Sequence, residues 1–368
     1  MPNRAELDLL RSALHDRPIT PAAAGILGLA LERRAQNLGL LRLLPLLSQR
    51  AAALAEYPEI LAAALAERRR SAMRWVGLTA FAERIAAGLN AEGITPLVLK
   101  GYALAGTNYP SIDLRPMEDI DLAVRPEEFD RAAGIVAGMG FTLVDAVSTS
   151  PMRRHGVEFQ RPGEKFQLDL HQHVLFCSRW PSASDGFWHR AAPFAIGNQP
   201  ALTLCAEDHL LHACIHGYRH NPVSPIRWMV DAALIVARPG IDWQVLIDEA
   251  ERHRCGPLLA AALHFLVLEV EAEIPQTVLE ALSDLPWTRN DRRYFRAQGH
   301  RLFQMSLAAA GSRLIRDYAR QTQVVDGREA AMKMSFAGWL RDYRNVRSNA
   351  ALMREIAAFL RKKFVKPV

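Results

Sequence analysis

The stretch "RPMEDIDLAV", Arg115–Val124, places two aspartates two positions apart inside an apolar run. Because residues i and i+2 of a strand face the same side, Asp119 and Asp121 project together while Ile120 and Leu122 pack on the other side. Two like-charged carboxylates beside a core are costly unless a cation neutralises them, and divalent ions such as Mg²⁺ prefer oxygen ligands. The stretch therefore predicts a strand that carries a metal site.

A later stretch, "FQLDLHQ", supplies a third acidic residue. Leu168 and Leu170 form its apolar face, and Gln167, Asp169 and His171 alternate with them on the opposite face. Asp169 is the expected third ligand of a site for two ions. His171 is a candidate nucleotide-binding residue, with a hydrogen-bonded histidine at a strand end as the alternative.

Upstream, "LVLKGYALAG" reads as a strand that ends at Lys100 and Gly101 and is followed by the start of a helix. Glycine allows close approach of the backbone to a phosphate, and the N–H groups of a helix start can point at it. Arg115 could add a charge-assisted contact to the same phosphate. Such an assembly is what metal-assisted nucleotidyl transfer requires, with one carboxylate drawing the proton from the incoming hydroxyl.

At "LKGYALAGTNYP", "LRPMEDIDLAV" and "QLDLH" the sequence resembles the DNA polymerase β-like nucleotidyltransferase superfamily, and more closely a bacterial branch labelled uncharacterised nucleotidyltransferase. The resemblance implies that Asp119, Asp121 and Asp169 are the catalytic metal ligands for two Mg²⁺ ions, with Mn²⁺ as an alternative. It also implies that Gly101 lies at a triphosphate-binding turn and that the substrate is a nucleoside triphosphate, ATP among them. One departure is Tyr102, which follows Gly101 where the superfamily usually has Gly or Ser.

The segment "EDHLLHACIHGYRH" spaces four histidines along one helical stripe, His209, His212, His216 and His220. A zinc site is one interpretation. Packing by the leucines between them, with one or two histidines facing the cleft, is the favoured interpretation. Gly217 is expected to end the helix before the last histidine, and no neighbouring cysteine completes a tetrahedral set.

The following helix carries Arg227 and Asp231 at i and i+4, a spacing that permits an ion pair on one face. By resemblance to kanamycin-type nucleotidyltransferases, whose helical domain helps to form the substrate pocket, His216, Arg227 and Asp231 are second-tier nucleotide-binding candidates. A capping histidine and an intra-helix ion pair are the alternative interpretation.

The order of patterns predicts an α+β fold with a small mixed β-sheet between helical regions. Residues 1–93 form the N-terminal helical region, 94–180 the nucleotidyltransferase core and 181–368 a larger C-terminal helical domain, with the chain remaining helical after about residue 180. The expected helices in that last part are 206–217, 225–237, 242–253, 257–270, 292–310 and about 328–363.

The 368 residues carry a net charge of +6, and the surplus lies mainly after Gly311. This basic C-terminal helix is expected to dock on its own chain or on a partner. No apolar run is long enough for a transmembrane segment, no signal peptide is evident and the four cysteines form no framework, so a cytoplasmic location is expected. The near-neutral core disfavours long nucleic acid as a substrate.

The leading functional hypothesis is an Mg²⁺-dependent transferase that moves a nucleoside monophosphate to an unidentified small-molecule, peptide or protein acceptor. The first alternative is a catalytically degenerate module that binds a nucleotide without turnover. The second is a glycosyltransferase whose DxD motif holds a metal against a sugar nucleotide; that fold would place a nucleotide-binding α/β unit before the motif, where this sequence is mostly helical.

Overall fold

The computed structural model describes residues 2–15, 17–33, 38–144, 155–180, 182–217, 226–298, 314–315, 318–319, 335–343, 348–354 and 357. Helices precede the first strand: α1 (Arg4–Leu14), α2 (Pro21–Glu32), α3 (Leu38–Leu41), α4 (Leu44–Leu47) and α5 (Pro58–Ala91). Local sequence explains their starts. The Asn3 side chain and the Glu6 side chain form a reciprocal capping box on α1, and Thr20 caps α2 ahead of a proline at its first position.

One sheet of seven strands lies at the centre of the molecule, in the order β3-β4-β5-β2-β1-β7-β6. The strands are β1 (Leu97–Leu99), β2 (Asp119–Ala123), β3 (Thr142–Leu143), β4 (Gly156–Gln160), β5 (Gln167–His171), β6 (Ala192–Ile196) and β7 (Gln199–Thr203). The sheet is mixed: β2 runs parallel to β5 and antiparallel to β1, whereas β1 runs parallel to β7. The predicted α+β class is confirmed.

The two faces of the central strands pack against different helices, because side chains alternate along a strand. On one face Ile120, Leu122, Leu168 and Leu170 join a core formed with α5 and with α7 (Phe129–Gly138). Asp119 and Asp121 alternate with these residues and project on the other face. The predicted apolar frame around the acidic pair is therefore present.

A second core lies on the acidic side of the sheet and joins residues from both ends of the described chain. It combines α1, α2 and α4 with the later helices, and Leu97 and Leu99 of β1 contribute to it. The helices that complete it are α9 (Ala206–Gly217), α10 (Ile226–Val236), α11 (Trp243–Arg252), α12 (Gly256–Val270), α13 (Gln276–Asp284) and α14 (Arg289–Gln298). The three-segment division of the chain stays a prediction.

The expectation that the chain stays helical after residue 180 is wrong for residues 192–203. After a short helix, α8 (Asp185–Arg190), strands β6 and β7 form a hairpin that adds to the sheet beside β1. The two strands are joined at Gly197 and Asn198, and Gly197 has φ of +58°. A left-handed glycine in a two-residue loop matches the twist of a tight hairpin, so this Gly-Asn pair was the available sequence signal.

The four predicted helices between residues 206 and 270 are present within one residue of their expected ends. Beyond them, α14 is described as far as Gln298, a further helix spans Phe336–Tyr343, and residues 349–354 are also helical. Most of the predicted basic C-terminal helix lies outside the described residues. Across the parts of the chain that the structure describes, no helix combines the length and the apolar character needed to cross a membrane.

Candidate metal and nucleotide site

The parallel pairing of β2 with β5 brings together three side chains of types that can bind a metal ion. Asp121 and Asp169 are direct neighbours in the strand register, and His171 lies two residues further along β5 on the same face. One ligand atom from each of these residues lies within 4.8 Å of the other two. In the described part of the chain this is the one group of three or more acidic, histidine or cysteine side chains so arranged.

Asp121 is the centre of this cluster and is only 5% exposed. Its Oδ1 forms an ion pair with Lys100 Nζ and lies 3.0 Å from His171 Nε2. Burial alone would raise the pKa of the Asp121 carboxyl, but the charge of Lys100 and the hydrogen bond from His171 outweigh it, so that pKa lies well below its ordinary value. Asp121 is therefore held ionised.

The pKa of Asp169 is shifted in the opposite direction. Burial, followed by repulsion from the charge of Asp121, raises the pKa of Asp169, and Lys100 offsets this only in part. Two carboxylates this close titrate as a pair, with one ionised while the other retains its proton. The metal-free cluster therefore holds one ionised and one more basic carboxyl group.

Asp119 begins β2 and is exposed at its edge. Although the residue is exposed, many protein atoms surround its carboxyl group. Burial and then the charge of Asp121 raise the pKa of Asp119, whereas Arg227, Lys100 and Arg115 lower it. Asp119 does not belong to the compact group formed by the other two aspartates and the histidine. Its assignment as a metal ligand stays a prediction.

The chemistry of the cluster fits a divalent cation. Carboxylate oxygens suit Mg²⁺ or Mn²⁺, and an imidazole nitrogen is accepted by transition metals more readily than by Mg²⁺. The Lys100 ammonium pairs with Asp121, so one positive charge lies beside this carboxylate in the absence of an ion. Asp121 and Asp169, with His171, are the residues that could hold an ion.

The predicted phosphate turn follows β1. Lys100 begins α6 (Lys100–Thr107) with φ of +49°, a left-handed conformation that is costly for a residue with a side chain. At Gly101, an added Cβ would collide with the Arg115 guanidinium and lie 2.8 Å from Met117 Sδ. Close approach of Arg115 explains the glycine at this position.

Tyr102 points away from the turn and into the core. Its ring stacks on Trp75 with centroids 4.3 Å apart, and its hydroxyl lies 3.0 Å from Thr79 Oγ1. Tyr102, at the position where the resembling superfamily has Gly or Ser, therefore packs against α5. Its side chain does not cover the start of α6.

Arg115 is fixed by a buried ion pair. Its Nε and Nη2 donate to the two carboxylate oxygens of Asp231 at 2.9 and 2.8 Å, and Tyr109 donates its hydroxyl to the same carboxylate at 2.7 Å. Burial opposes ionisation of Asp231, but the Arg115 charge outweighs it and lowers the pKa of Asp231. The contact joins the segment before β2 to α10.

The i,i+4 ion pair between Arg227 and Asp231, which was the alternative interpretation, is not formed; both oxygens of Asp231 accept from Arg115. Arg227 Nη1 instead donates to the carbonyl oxygen of Pro116 at 3.3 Å. Asp231 is therefore a structural partner of Arg115, and Arg227 is directed to the segment that precedes β2.

His216 lies half-buried in the last turn of α9, with its ring stacked on that of His212 at a centroid distance of 5.5 Å. His212 is 4% exposed, and burial, followed by the charge of Lys100, lowers the pKa of His212 to about 3. The charges of Lys100, Asp121 and His171 all contribute to the pKa of His212, so this histidine lies near the acidic cluster. His220 lies outside the described residues.

Sequence reasoning missed Arg42. It lies in a turn between α3 and α4, and with Arg115 and Arg227 it lines a pocket beside β2. The available signal was a single cation in the run of leucines "LGLLRLLPLL", residues 38–47. A lone charge within such a run is costly to bury and suggests a specific electrostatic role.

Comparisons with known proteins show what this chain is similar to. A solved structure of an antigenic nucleotidyltransferase-like protein from Paracoccidioides brasiliensis is similar over 58% of this chain and 94% of that chain, with 16% sequence identity and a TM-score of 0.37. No curated protein matches. The model of a family described as uncharacterised nucleotidyltransferase matches residues 34–268, which include the sheet, the acidic cluster and the three arginines. The chain therefore belongs to this uncharacterised nucleotidyltransferase family.

Proposed function

We propose that the protein is a metal-dependent nucleotidyltransferase, which moves a nucleoside monophosphate from a nucleoside triphosphate to a hydroxyl-bearing acceptor. The acceptor class is a small molecule, a peptide or a protein. The observation that carries the proposal is the parallel register of β2 and β5, which makes Asp121 and Asp169 neighbours with His171 beside them.

In the proposed reaction an acceptor hydroxyl oxygen forms a bond to the α-phosphorus. The bond between that phosphorus and the oxygen bridging to the β-phosphate breaks, and pyrophosphate leaves with the electron pair. Asp169 would accept the hydroxyl proton once metal binding has released the proton that this carboxyl group holds in the metal-free protein. Bound Mg²⁺ or Mn²⁺ ions would neutralise charge on the transferring phosphate.

The other residues position the triphosphate. Lys100 provides a cation beside Asp121, and the start of α6 presents backbone N–H groups at the end of β1. Arg115, held by Asp231, lies against Gly101 at this turn. Asp119 is proposed as a further metal ligand at the start of β2.

A second candidate is a nucleotide-binding module without turnover. The ion pair between Lys100 and Asp121 favours it, because a fixed ammonium at Asp121 competes with a metal ion for the same oxygen. A glycosyltransferase is not supported: the described residues before Leu97 are helical, so they do not supply the nucleotide-binding α/β unit that this alternative requires.

Calorimetric titration with each of ATP, GTP, CTP and UTP in Mg²⁺, followed by assay of pyrophosphate release with a panel of acceptors, tests the proposal. Asp121→Asn should abolish metal-dependent nucleotide binding and lower any transfer by at least roughly a thousandfold, since several kcal/mol of charge stabilisation would be lost. Asp130→Asn, at an exposed carboxylate of α7, is the matched control.

Unchanged metal–nucleotide binding in Asp121→Asn would contradict the metal site. Metal-dependent binding by the wild type without pyrophosphate release under any condition would favour the binding module.

A further inference from the structure

The pocket beside β2 collects three guanidinium groups from distant parts of the chain. Its lining includes Arg42, Arg115 and Arg227, together with Leu46, Tyr109 and Val230. Its apolar lining comes from α4, the segment before β2 and α10. The polar character of the pocket is therefore set mainly by the three arginines.

Two of these arginines retain unused donor groups. Within the described residues, Arg42 forms no hydrogen bond or ion pair, and Arg227 gives a single hydrogen bond, to Pro116 O at 3.3 Å. Arg115 differs, because Asp231 holds two of its nitrogens. Since each guanidinium carries five N–H donors, Arg42 and Arg227 can together donate to several oxygens of one anion.

The mutual repulsion of the arginines also indicates an anion. Burial, then the charges of Arg115 and Arg42, lower the pKa of Arg227 to about 10. Burial likewise lowers the pKa of Arg42, with Glu118 and Asp119 opposing the effect. An oxyanion between the two guanidiniums would remove the repulsion and accept hydrogen bonds from their remaining N–H groups.

The position of the pocket connects it to the acidic cluster. Asp119 interacts electrostatically with Asp121 and also with Arg227 and Arg115, so its carboxylate is within electrostatic range of both charged groups. Arg115 in addition contacts the turn at Gly101. A phosphate held by the arginines would thus lie next to the carboxylates.

We propose that Arg42 and Arg227, with Arg115 behind them, form an oxyanion site for a phosphate group of the substrate. This proposal rests on the proposed nucleotidyl transfer. Two sources share the chemistry: the terminal phosphates of the nucleoside triphosphate, which leave as pyrophosphate, and a phosphate group on the acceptor.

The test is calorimetric titration of the full chain with sodium pyrophosphate in EDTA, which measures the arginine site without the metal site. The wild type should bind, and Arg42→Gln and Arg227→Gln should each weaken binding by about tenfold, because each removes hydrogen bonds to a charged group. Arg238→Gln, at an exposed position after α10, is the control. Arg115 is left intact because its loss would unpair the buried Asp231.

Competition then separates the two sources. If the site takes the terminal phosphates of the nucleotide, ATP displaces pyrophosphate and AMP does not. If it takes an acceptor phosphate, pyrophosphate and ATP bind together. The proposal is overturned if the wild type binds no pyrophosphate, or if folded Arg42→Gln and Arg227→Gln bind it as tightly as the wild type.

Failure of the arginine site can be distinguished from failure of the proposed function, because Asp121→Asn should retain pyrophosphate binding in EDTA. Loss of transfer in that variant with pyrophosphate binding intact would support both sites. Absence of transfer in the wild type, together with arginine-dependent pyrophosphate binding, would contradict the transferase proposal alone.

Discussion

The acidic cluster and the arginine pocket differ in how the chain builds them. Asp121, Asp169 and His171 project from two adjacent strands of one sheet. Arg42, Arg115 and Arg227 come from a turn near the N-terminus, a segment before β2 and a helix in the later part of the chain. Strand pairing fixes the first group, whereas packing of helices against the sheet fixes the second.

This difference has energetic consequences. The carboxylates face one another, and Lys100 and His171 compensate the charge of Asp121 at close range. On the arginine side only Arg115 has a bidentate carboxylate partner, Asp231, and that pair also fastens α10 to the segment before β2. We therefore expect substitutions in the acidic cluster to change function at little cost in stability, and the Arg115–Asp231 pair to affect both.

The largest expected effect on stability is at this buried pair. Asp231→Ala should lower the free energy of unfolding by about 3–5 kcal/mol, because it leaves the Arg115 charge buried and unpaired. The measurement is urea unfolding at neutral pH. Arg17→Ala, which removes an ion pair between side chains 50% and 43% exposed, should cost at most about 1 kcal/mol.

A combined variant distinguishes the unpaired charge from lost packing. Replacing Arg115 by Met, Tyr109 by Phe and Asp231 by Leu removes every polar partner at once. Its stability should lie closer to the wild type than that of Asp231→Ala. If the triple variant lost as much stability as Asp231→Ala, the Arg115–Asp231 pair would contribute through packing. The expected difference in stability between the acidic cluster and the arginine pocket would then be weaker.

An intermediate effect is expected at His209, which lies near Arg115 and Asp231 and is 3% exposed. Burial lowers the pKa of His209 to about 4, below the ordinary value of 6.5. The unfolded chain therefore binds an extra proton as the pH falls from 6.5 towards 4, and the stability that this neutral histidine provides above pH 6.5 is lost over that range.

His209→Gln should reduce the slope of unfolding free energy against pH by about 1.4 kcal/mol per pH unit between those limits. Urea unfolding at several acidic pH values measures the slope. Parallel plots of unfolding free energy against pH for the variant and the wild type would contradict the lowered pKa of His209. They would mean that burial does not oppose protonation of this histidine.

At Asp169 the expected change in stability is opposite in sign to the expected change in activity. The pKa of Asp169 is raised in the folded protein, so the stability it contributes is present below its unfolded pKa and is lost as the pH rises through the folded pKa. Asp169→Asn should therefore gain stability relative to the wild type as the pH rises from 4 to 8 in EDTA, by up to about 1.4 kcal/mol per pH unit, although it would impair transfer.

Urea unfolding in EDTA at the two pH values tests this sign. A second readout is Mn²⁺ titration in two buffers of different ionisation enthalpy, in which the wild type should release protons and Asp169→Asn should release fewer. A variant less stable than the wild type at pH 8 would contradict the assignment of Asp169 as the more basic carboxyl group.

Some elements were predictable because their information is local. The alternation of Asp119 and Asp121 with apolar neighbours indicated a strand with one acidic face, and "FQLDLHQ" indicated a second strand of the same kind. His171 followed from the same period of two. The hairpin at residues 192–203 was missed although Gly197 and Asn198 marked its turn. The predicted C-terminal helical domain, residues 181–368, included these residues.

Other parts of the site could not be read from spacing. Arg227 and Asp231 have the spacing of an intra-helix pair, yet Asp231 binds Arg115, 116 positions away. Bidentate geometry and burial favour the distant partner, and neither is visible in a sequence window. Tyr102 likewise departs from the resembling family's pattern, but its contact with Trp75 shows a packing role that the pattern could not reveal.

By itself the sequence determined the two acidic strands, the mixed sheet among helices, and the residues able to bind a cation, because strand periodicity restricts which side chains share a face. The tertiary structure alone decided that β2 lies parallel to β5 with Asp121 opposite Asp169, and that Arg42 joins Arg115 and Arg227 around one pocket. These arrangements depend on the packing of segments far apart in the chain, which no local pattern encodes.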